Sequence, residues 1–446
     1  MKNVDALIIG GSAAGFAAAI TARRHYPEAT IAIIRQEAKT PVPCGIPYIF
    51  GTLGSPENNL MPDPALAKNN VDLIVDRVTG IDREAKTIST LGGETIGYQK
   101  LILTTGSVPI VPPIPGVDQG NVFSMKKDVA YLSNLLQRLN GIHDVVIIGG
   151  GFIGLEMADE CRKLDGLNVS VVEMLPHCLF TVFDEDLCVR AEEQLIREGV
   201  QVLTSHKAKS LQGNGNVEYV ELDNGKRLKA DAVILGIGVH PNAGLAEKAG
   251  LTMGPTGGVA VDRHMMTSDP NIFAAGDCAE KVDFFTGKPS RAWLASVATA
   301  EARIAGANLF EMRRASKGSV SVFSTKIGDL ACGLAGIGEK SAREAGIAYV
   351  VGESESMNRH PGSLPGAKPT KVKLIFREYS ETLIGGQACG GDEVGEVVNL
   401  LAAMIQAEMT ADQIATFQMG THPLLTASPV AYQLVNAAEI ALGKMR

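Results

Sequence analysis

Cys44 stands in the segment Pro41-Val42-Pro43-Cys44-Gly45-Ile46-Pro47-Tyr48. Pro47 suits the first turn of a helix. A thiol at a helix N-terminus has its thiolate stabilised by unpaired N–H groups and the helix dipole. This spacing therefore points to a nucleophilic, redox-active sulfur, against the plainer reading of a buried structural thiol. The other six cysteines, at 161, 178, 188, 278, 332 and 389, form no CxxC pair and no zinc-type Cys/His spacing. They read as small buried apolar residues, and no metal site is expected.

Two glycine turns point to a second chemistry. Gly149, Gly151 and Gly154 have G-x-G-x-x-G spacing after a strand and at the opening of a helix, and Glu173 ends the next strand. In such a turn the first glycine bends the chain, the second lets a pyrophosphate approach the backbone, and the third lets helix and strand pack. The helix N-terminus attracts the phosphates and Glu173 accepts hydrogen bonds from a ribose. Gly150, Phe152 and Ile153 complete this nucleotide-binding turn. A carboxylate at 173 repels a 2′-phosphate, so NADH is expected over NADPH.

The earlier turn, Gly10-Gly11-Ser12-Ala13-Ala14-Gly15, has Ser12 as its middle residue, and Arg35 occupies the slot where a ribose-binding acid is expected. Glu37, two residues on, is the substitute. Leu103-Thr104-Thr105-Gly106-Ser107 and Asn271-Ile272-Phe273-Ala274-Ala275-Gly276-Asp277 are apolar strands ending in small or polar residues. Asp277 suits a polyol chain, or, more plainly, a helix cap.

Rigid elements must hold these groups. The patterns predict a strand over Val4–Ile9, a helix to about His25 and a strand over Thr30–Ile34. A second copy runs through Val145–Ile148, a helix from Phe152, and Val169–Val172. Each βαβ opening implies a doubly wound parallel sheet. Pro109–Pro115 and the turn Gly238-Val239-His240-Pro241-Asn242 read as boundaries. From Ser319 an α+β pattern takes over, with strands at Val320–Phe323, Lys371–Phe376 and Leu383–Gln387 and helices at Ser341–Ala345 and Val394–Glu408. The 446 residues, 45% hydrophobic and 20% charged, supply large cores. A net charge of −8 without a long Lys/Arg run argues against nucleic acid as a partner. The longer apolar stretches are broken by glycines and charges, and the chain opens on a strand rather than a basic leader, so neither a membrane span nor a signal is expected and a cytoplasmic setting is.

The order GG-x-x-x-G, TTGS-P, GxGxxG, GVxPN, AAGD resembles the pyridine nucleotide–disulfide oxidoreductases over nearly the whole chain. The resemblance implies an α/β fold with two Rossmann-like dinucleotide-binding domains, the FAD domain (1–115 and 244–318) split around the NAD domain (116–243). A C-terminal α+β dimerisation domain (319–446) follows, and with it a homodimer. It implies that Asp277 binds the FAD ribitol, that Thr105 and Gly106 lie along the FAD, and that Glu156 lies near the flavin–nicotinamide contact; a solvated helix charge is the alternative for Glu156. Val78, Gly276, Ala295 and Gly238 are further expected cofactor-binding positions.

Many members carry a second cysteine five residues after the first, where this chain has Ile49. The segment instead resembles the single-cysteine branch of coenzyme A–disulfide reductases, polysulfide and persulfide reductases, and NADH oxidases and peroxidases. Ala13 stands where oxidases and peroxidases carry a histidine. Arg23 and Arg24 match a basic pair that holds coenzyme A phosphates, or else form a solvated helix end. His422, in Thr421-His422-Pro423, resembles a histidine that crosses the dimer as a base, although Ala427 replaces the Glu that usually orients it; His360 is a weaker candidate in a loop. The expectation is an FAD-dependent NADH oxidoreductase that reduces a small disulfide, persulfide or polysulfide through Cys44. Coenzyme A disulfide leads. An NADH oxidase or peroxidase cycling Cys44 through sulfenic acid, or a reductase of a protein electron carrier, stays open.

Overall fold

The computed structural model describes residues 2–445, which divide into two units. The first comprises the chain up to Val111, Ser124–Gly141 and Gly238–Ser319; the second comprises Pro112–Phe123, Ile142–Ile237 and the chain from Val320 on.

In the first unit, Lys2–Ile9 pairs in parallel with Ile31–Arg35 on one side and with Thr95–Leu103 on the other. Asp72–Val75 adds an edge beyond Ile31–Arg35. The early part of Thr95–Leu103 takes the antiparallel strand Thr87–Thr90, while its end, at Leu101–Leu103, pairs in parallel with Ile272–Ala274. The sheet is thus completed only after the chain has passed through the second unit. Ala6, Ile8, Ile31 and Ile33 face one core with the helices Ala13–His25 and Ala295–Ala307, and Leu7, Ile9, Ala32 and Ile34 face another. Burial on both faces explains why these strands read as continuous apolar runs rather than alternating ones.

The second unit holds a five-stranded sheet in the order Gln201–Leu203, Asn168–Val172, Asp144–Ile148, Ala232–Leu235, Val122–Ser124. The helices Phe152–Cys161 and Glu185–Arg197 accompany it. Its C-terminal part is an antiparallel sheet in the order Val322–Ile327, Leu330–Gly336, Leu383–Gly390, Pro369–Arg377, Tyr349–Met357. The helix Val394–Gln406 seats Val398 and Leu401 over Gly333 and Gly386, where added side chains would collide with it. The helix Gln433–Met445 crosses Gly352 in the same way through the carbonyl of Ala437. The α/β class with a C-terminal α+β part is as expected. The C-terminal boundaries shift: the predicted strand Val320–Phe323 lies at Val322–Ile327, and the predicted helix Ser341–Ala345 lies at Glu339–Glu344. Among the described residues no helix is long and apolar enough to cross a membrane.

Candidate dinucleotide-binding and thiol sites

The first glycine turn joins Lys2–Ile9 to Ala13–His25. Gly10 has φ +113°, and a side chain there would strike the carbonyl of Thr104. Gly15 is pressed against the carbonyl of Gly10. Ser12 is the N-cap, but its side chain makes no capping bond, so the first-turn N–H groups that include those of Ala13 and Ala14 keep their donor capacity for an anion. Beside the turn, the Asp277 carboxylate accepts the hydroxyl of Ser107 at 2.7 Å, with the Lys127 ammonium 4.0 Å away. Thr105 donates to the carbonyl of Asn242 at 2.6 Å, and Gly106 accepts from the Asn242 N–H. Gly238 has φ +101° and opens the short strand Val239–Pro241, which pairs with Ser107–Pro109. Ala295 is the first residue of its helix, and Val78 is the half-buried start of an edge strand. The cradle, the uncapped helix end and the carboxylate fit a dinucleotide with a polyol linker.

Beneath this loop lies a pair that sequence reasoning missed. Lys281 is fully buried, and its ammonium meets the Glu301 carboxylate at 2.7 Å and the carbonyl of Gly276. The same Glu301 oxygen accepts the Gly276 N–H at 3.0 Å. Gly276, at φ +78°, is therefore gripped at both its polar groups. Burial pushes the Glu301 carboxyl up despite the pull of Lys281. A Glu inside the Ala-rich helix 295–307 was the available signal.

Arg35 is buried and its guanidinium is spent within the protein. It forms a bidentate pair with Asp63 at 2.7 and 2.6 Å and donates to the carbonyls of Glu37 and Ala38. Its stem lies against Gly11. A direct ribose contact from Arg35 is thus not what the geometry offers. Glu37 remains half-buried beside it.

Cys44 is exposed in an excursion whose base is tied by Asn59: Val42 and Asn59 exchange hydrogen bonds at 2.9 Å. Ile46, Ile49 and Phe50 anchor the excursion in the core. The expected helix start is a three-residue 3-10 turn, Pro43–Gly45, followed by a π-type turn over Ile49–Leu53. Pro43 opens the 3-10 turn and Pro47 precedes the wider π-type turn, so Cys44 sits in a short 3-10 turn rather than at the start of the α-helix that the spacing suggested. At the foot of the excursion the buried Thr40 hydroxyl has no hydrogen-bond partner among the described residues.

The basic pair divides. Arg23 donates to the carbonyls of Asn69, Asn70 and Pro27 at 2.6–3.0 Å, so backbone acceptors fix the placement of its guanidinium. Arg24 is exposed.

In the second unit Gly149 has φ +108°, with the carbonyl of Gly236 2.7 Å from where its side chain would start. Gly154 is pressed on Gly149, whereas Gly151 faces open space, as a backbone approached by pyrophosphate must. Gly151 caps the helix Phe152–Cys161 with no side-chain bond. Phe152 stacks on Phe323, centroids 5.2 Å apart, and Ile153 follows in the first turn. Glu173 holds this turn directly: one oxygen accepts the Gly150 N–H at 2.6 Å and the other the Leu175 N–H at 2.8 Å. Each oxygen retains a lone pair for a ribose hydroxyl.

Glu156 is not a solvated helix charge. Thr325 donates to it at 2.9 Å, and its carboxyl is pushed up to about 7, chiefly by burial, then by Glu160 and Asp159. His422 is exposed, and its Nδ1 accepts the Leu424 N–H at 3.3 Å. His360 supports that loop, its own N–H bonding Pro423 and its ring bonding the carbonyl of Thr426.

Residues 4–302 match the pyridine nucleotide-disulphide oxidoreductase family, and residues 322–431 match that family's dimerisation domain. The chain belongs to this family. It is an oxidoreductase that uses FAD and a nicotinamide dinucleotide. It is 34% identical, over 99% of both chains, to an NADH oxidase of Methanocaldococcus jannaschii. It is 32% identical to a CoA-dependent NAD(P)H sulfur oxidoreductase of Pyrococcus furiosus, over 93% of this chain and 94% of that one. Its fold is similar to that of an NAD-dependent persulfide reductase from A. fulgidus, with a TM-score of 0.91 and 32% identity over 99% of this chain and 83% of that one.

Proposed function

We propose that this chain is an NADH-dependent reductase of low-molecular-weight disulfides, persulfides or polysulfides, coenzyme A disulfide being the leading candidate, that works through Cys44. The carrying observation is the distribution of sulfur: Cys44 is exposed, the other six cysteines are buried, and Ile49 fills the core where a second thiol would be needed. A cycle built on one accessible thiol follows. The names of the sulfur oxidoreductase and persulfide reductase relatives support it.

Bound FAD would supply the two-electron relay between NADH and sulfur. The Gly10–Gly15 turn would hold its pyrophosphate, Asp277 its ribitol and Glu37 its adenosine ribose, with Val78, Thr105, Gly106, Gly238 and Ala295 along its length and Arg35 fixing the backbone of Glu37. Gly149–Gly154 would take the pyrophosphate of NADH and Glu173 its ribose, disfavouring a 2′-phosphate. Glu156 would face the nicotinamide end. The Cys44 thiolate attacks one sulfur of the substrate, the S–S bond breaks, one thiolate leaves, and the other half stays as a mixed disulfide. His422, whose imidazole can donate a proton, would give the leaving sulfur its proton. Arg24, the exposed member of the basic pair, would meet a substrate phosphate beside Arg23.

The chain divides in this reading into FAD-binding segments 1–115 and 244–318, an NAD-binding segment 116–243 and a dimerisation segment 319–446. Leu424, Leu425 and Val430, 51%, 71% and 86% exposed around His422, fit burial in a second copy. Light scattering should report a homodimer; an active monomer of 47.0 kDa would refute this and remove His422 from the cycle. A cytoplasmic setting, where thiols stay reduced, suits the cycle.

Cys44→Ser should keep FAD bound and reducible by NADH while disulfide and polysulfide reduction falls at least a thousandfold, since a hydroxyl is too weakly acidic to open S–S bonds (about 10³ or more). Undiminished reduction by this variant would replace the reading with a carrier reductase. The M. jannaschii relative favours a second reading, an NADH oxidase with Cys44 as sulfenic acid. Ala13, which can move no proton, stands against it. The mass of the adduct on Cys44 as purified (coenzyme A, sulfur or oxygen) separates the two.

A further inference from the structure

We propose that Cys332 and Cys389 form a reversible cross-strand disulfide, a redox site separate from Cys44. The two residues lie opposite each other between the antiparallel strands Leu330–Gly336 and Leu383–Gly390. Both are buried and their sulfurs are 2.7 Å apart. Opposite residues of an antiparallel pair have Cα atoms about 4.5–5.5 Å apart. That range falls inside the about 4.4–6.8 Å a disulfide spans. The bond therefore needs side-chain rotation rather than backbone movement.

The pair lies next to residues that line an open cleft. Lys371 lies opposite Cys389 on the next strand, so the sulfurs share a sheet face with it. Lys371 binds Asp186 at 2.7 Å, at the start of the helix Glu185–Arg197. Arg190 of that helix, Asp186 and Lys371 line an open cleft of about 900 Å³. A hydrogen bond to Cys389, together with burial, pushes the Cys332 thiol well up, while Arg190 pulls it down. Thiolate is scarce, so oxidation is slow beside turnover, and the pair acts as a lock on the central strands.

The oxidant is a peroxide. The sulfur of Cys332 displaces one oxygen of hydrogen peroxide, which leaves as water, and becomes a sulfenic acid. The Cys389 thiol then displaces the sulfenic hydroxyl as a second water, forming the S–S bond. Two thiols lose two electrons and two protons, and the peroxide accepts both.

The test uses the full-length FAD-bound protein, reduced, freed of reductant and treated with hydrogen peroxide in the absence of NADH. Denaturation in N-ethylmaleimide and digestion without reductant should yield a linked pair of peptides carrying Cys332 and Cys389, absent after reduction. The oxidised protein should melt several degrees higher, because the bond closes a long loop, and Cys389→Ala should lose this oxidation-dependent rise. Finding both cysteines alkylated, converted to sulfinic acid or linked to other cysteines overturns the proposal. No turnover is read, so such a failure leaves the Cys44 cycle untouched.

Discussion

Lys281→Met tests the clamp that sets the Gly276–Asp277 loop. In the parent, Lys281 and Glu301 form a buried ion pair 2.7 Å long, and each also bonds the backbone of Gly276. Removing one partner of a buried pair costs about 3–5 kcal/mol, because the remaining charge is left uncompensated. In domains of this size class 1 kcal/mol at the melting point moves Tm by about 2–4 °C, so a fall on the order of 10 °C is expected. The penalty should depend on pH in a definite direction. Burial already raises the Glu301 carboxyl, and Lys281 is the main group that lowers it, ahead of the Gly276 N–H. Without Lys281 the folded protein holds that proton more tightly still, whereas the unfolded carboxyl titrates near 4.3 (about). The folded state then binds more protons than the unfolded state above that pH, so stability falls as pH rises and the penalty shrinks on acidification. Thermal melts of the holoprotein at several pH values read this, and ultrafiltration reads the accompanying weaker retention of FAD. The Lys281→Met/Glu301→Leu double variant removes both charges and should recover much of the loss. A single variant melting within about 2 °C of the parent, or a penalty that does not change with pH, would show that the pair does not hold the loop.

Glu173→Ala should raise the KM for NADH by about tenfold or more, losing the charge-assisted bonds from the Gly150 and Leu175 N–H groups as well as the proposed ribose contact, while NADPH is affected less. Steady-state kinetics with both nucleotides check it, and a parent that prefers NADPH would contradict the role given to the carboxylate. Glu156, raised to about 7, makes the folded state bind an extra proton between the unfolded carboxyl range and neutrality. Stability of the parent should therefore decline as pH rises through that window, and Glu156→Gln should flatten the decline in melts across it. Parallel curves for the two proteins would place the carboxyl elsewhere.

The first-unit strands Lys2–Ile9 and Ile31–Arg35 were legible because burial on both faces leaves apolar runs near glycine turns, whereas the half-exposed Asp72–Val75 and Thr87–Thr90 leave no such run. The C-terminal sheet was read less well. Leu330–Gly336 is built of Leu, Ala, Cys and Gly, without β-branched residues, since the helix Val394–Gln406 presses on Gly333. Tyr349–Met357 carries Glu and Ser on an edge strand, so neither shows the usual strand composition. Glycines at 10, 15, 149 and 154 were legible because each answers a local backbone need within a few residues. Glu301 was not, nor was the burial of the expected Glu156, because their partners, Lys281 and Thr325, are brought to them only by the fold.

Arg35 shows how a departure from pattern can carry meaning. It occupies the slot of a ribose-binding acid, and its departure from that type has a physical reason. Its guanidinium bonds the outgoing chain at Glu37 and Ala38 and the returning chain at Asp63. Between those points runs the excursion that exposes Cys44. An acid at this position could bind a ribose but could not bond two carbonyls and a carboxylate. At Arg35 the chain has a buried, bidentate tie at the base of the segment that carries Cys44. Asn59 repeats the tie one step further out, through Val42. With two fastenings at its base and Ile46, Ile49 and Phe50 in the core, the excursion keeps Cys44 accessible without making its position loose, which is what a single-thiol cycle requires of its scaffold.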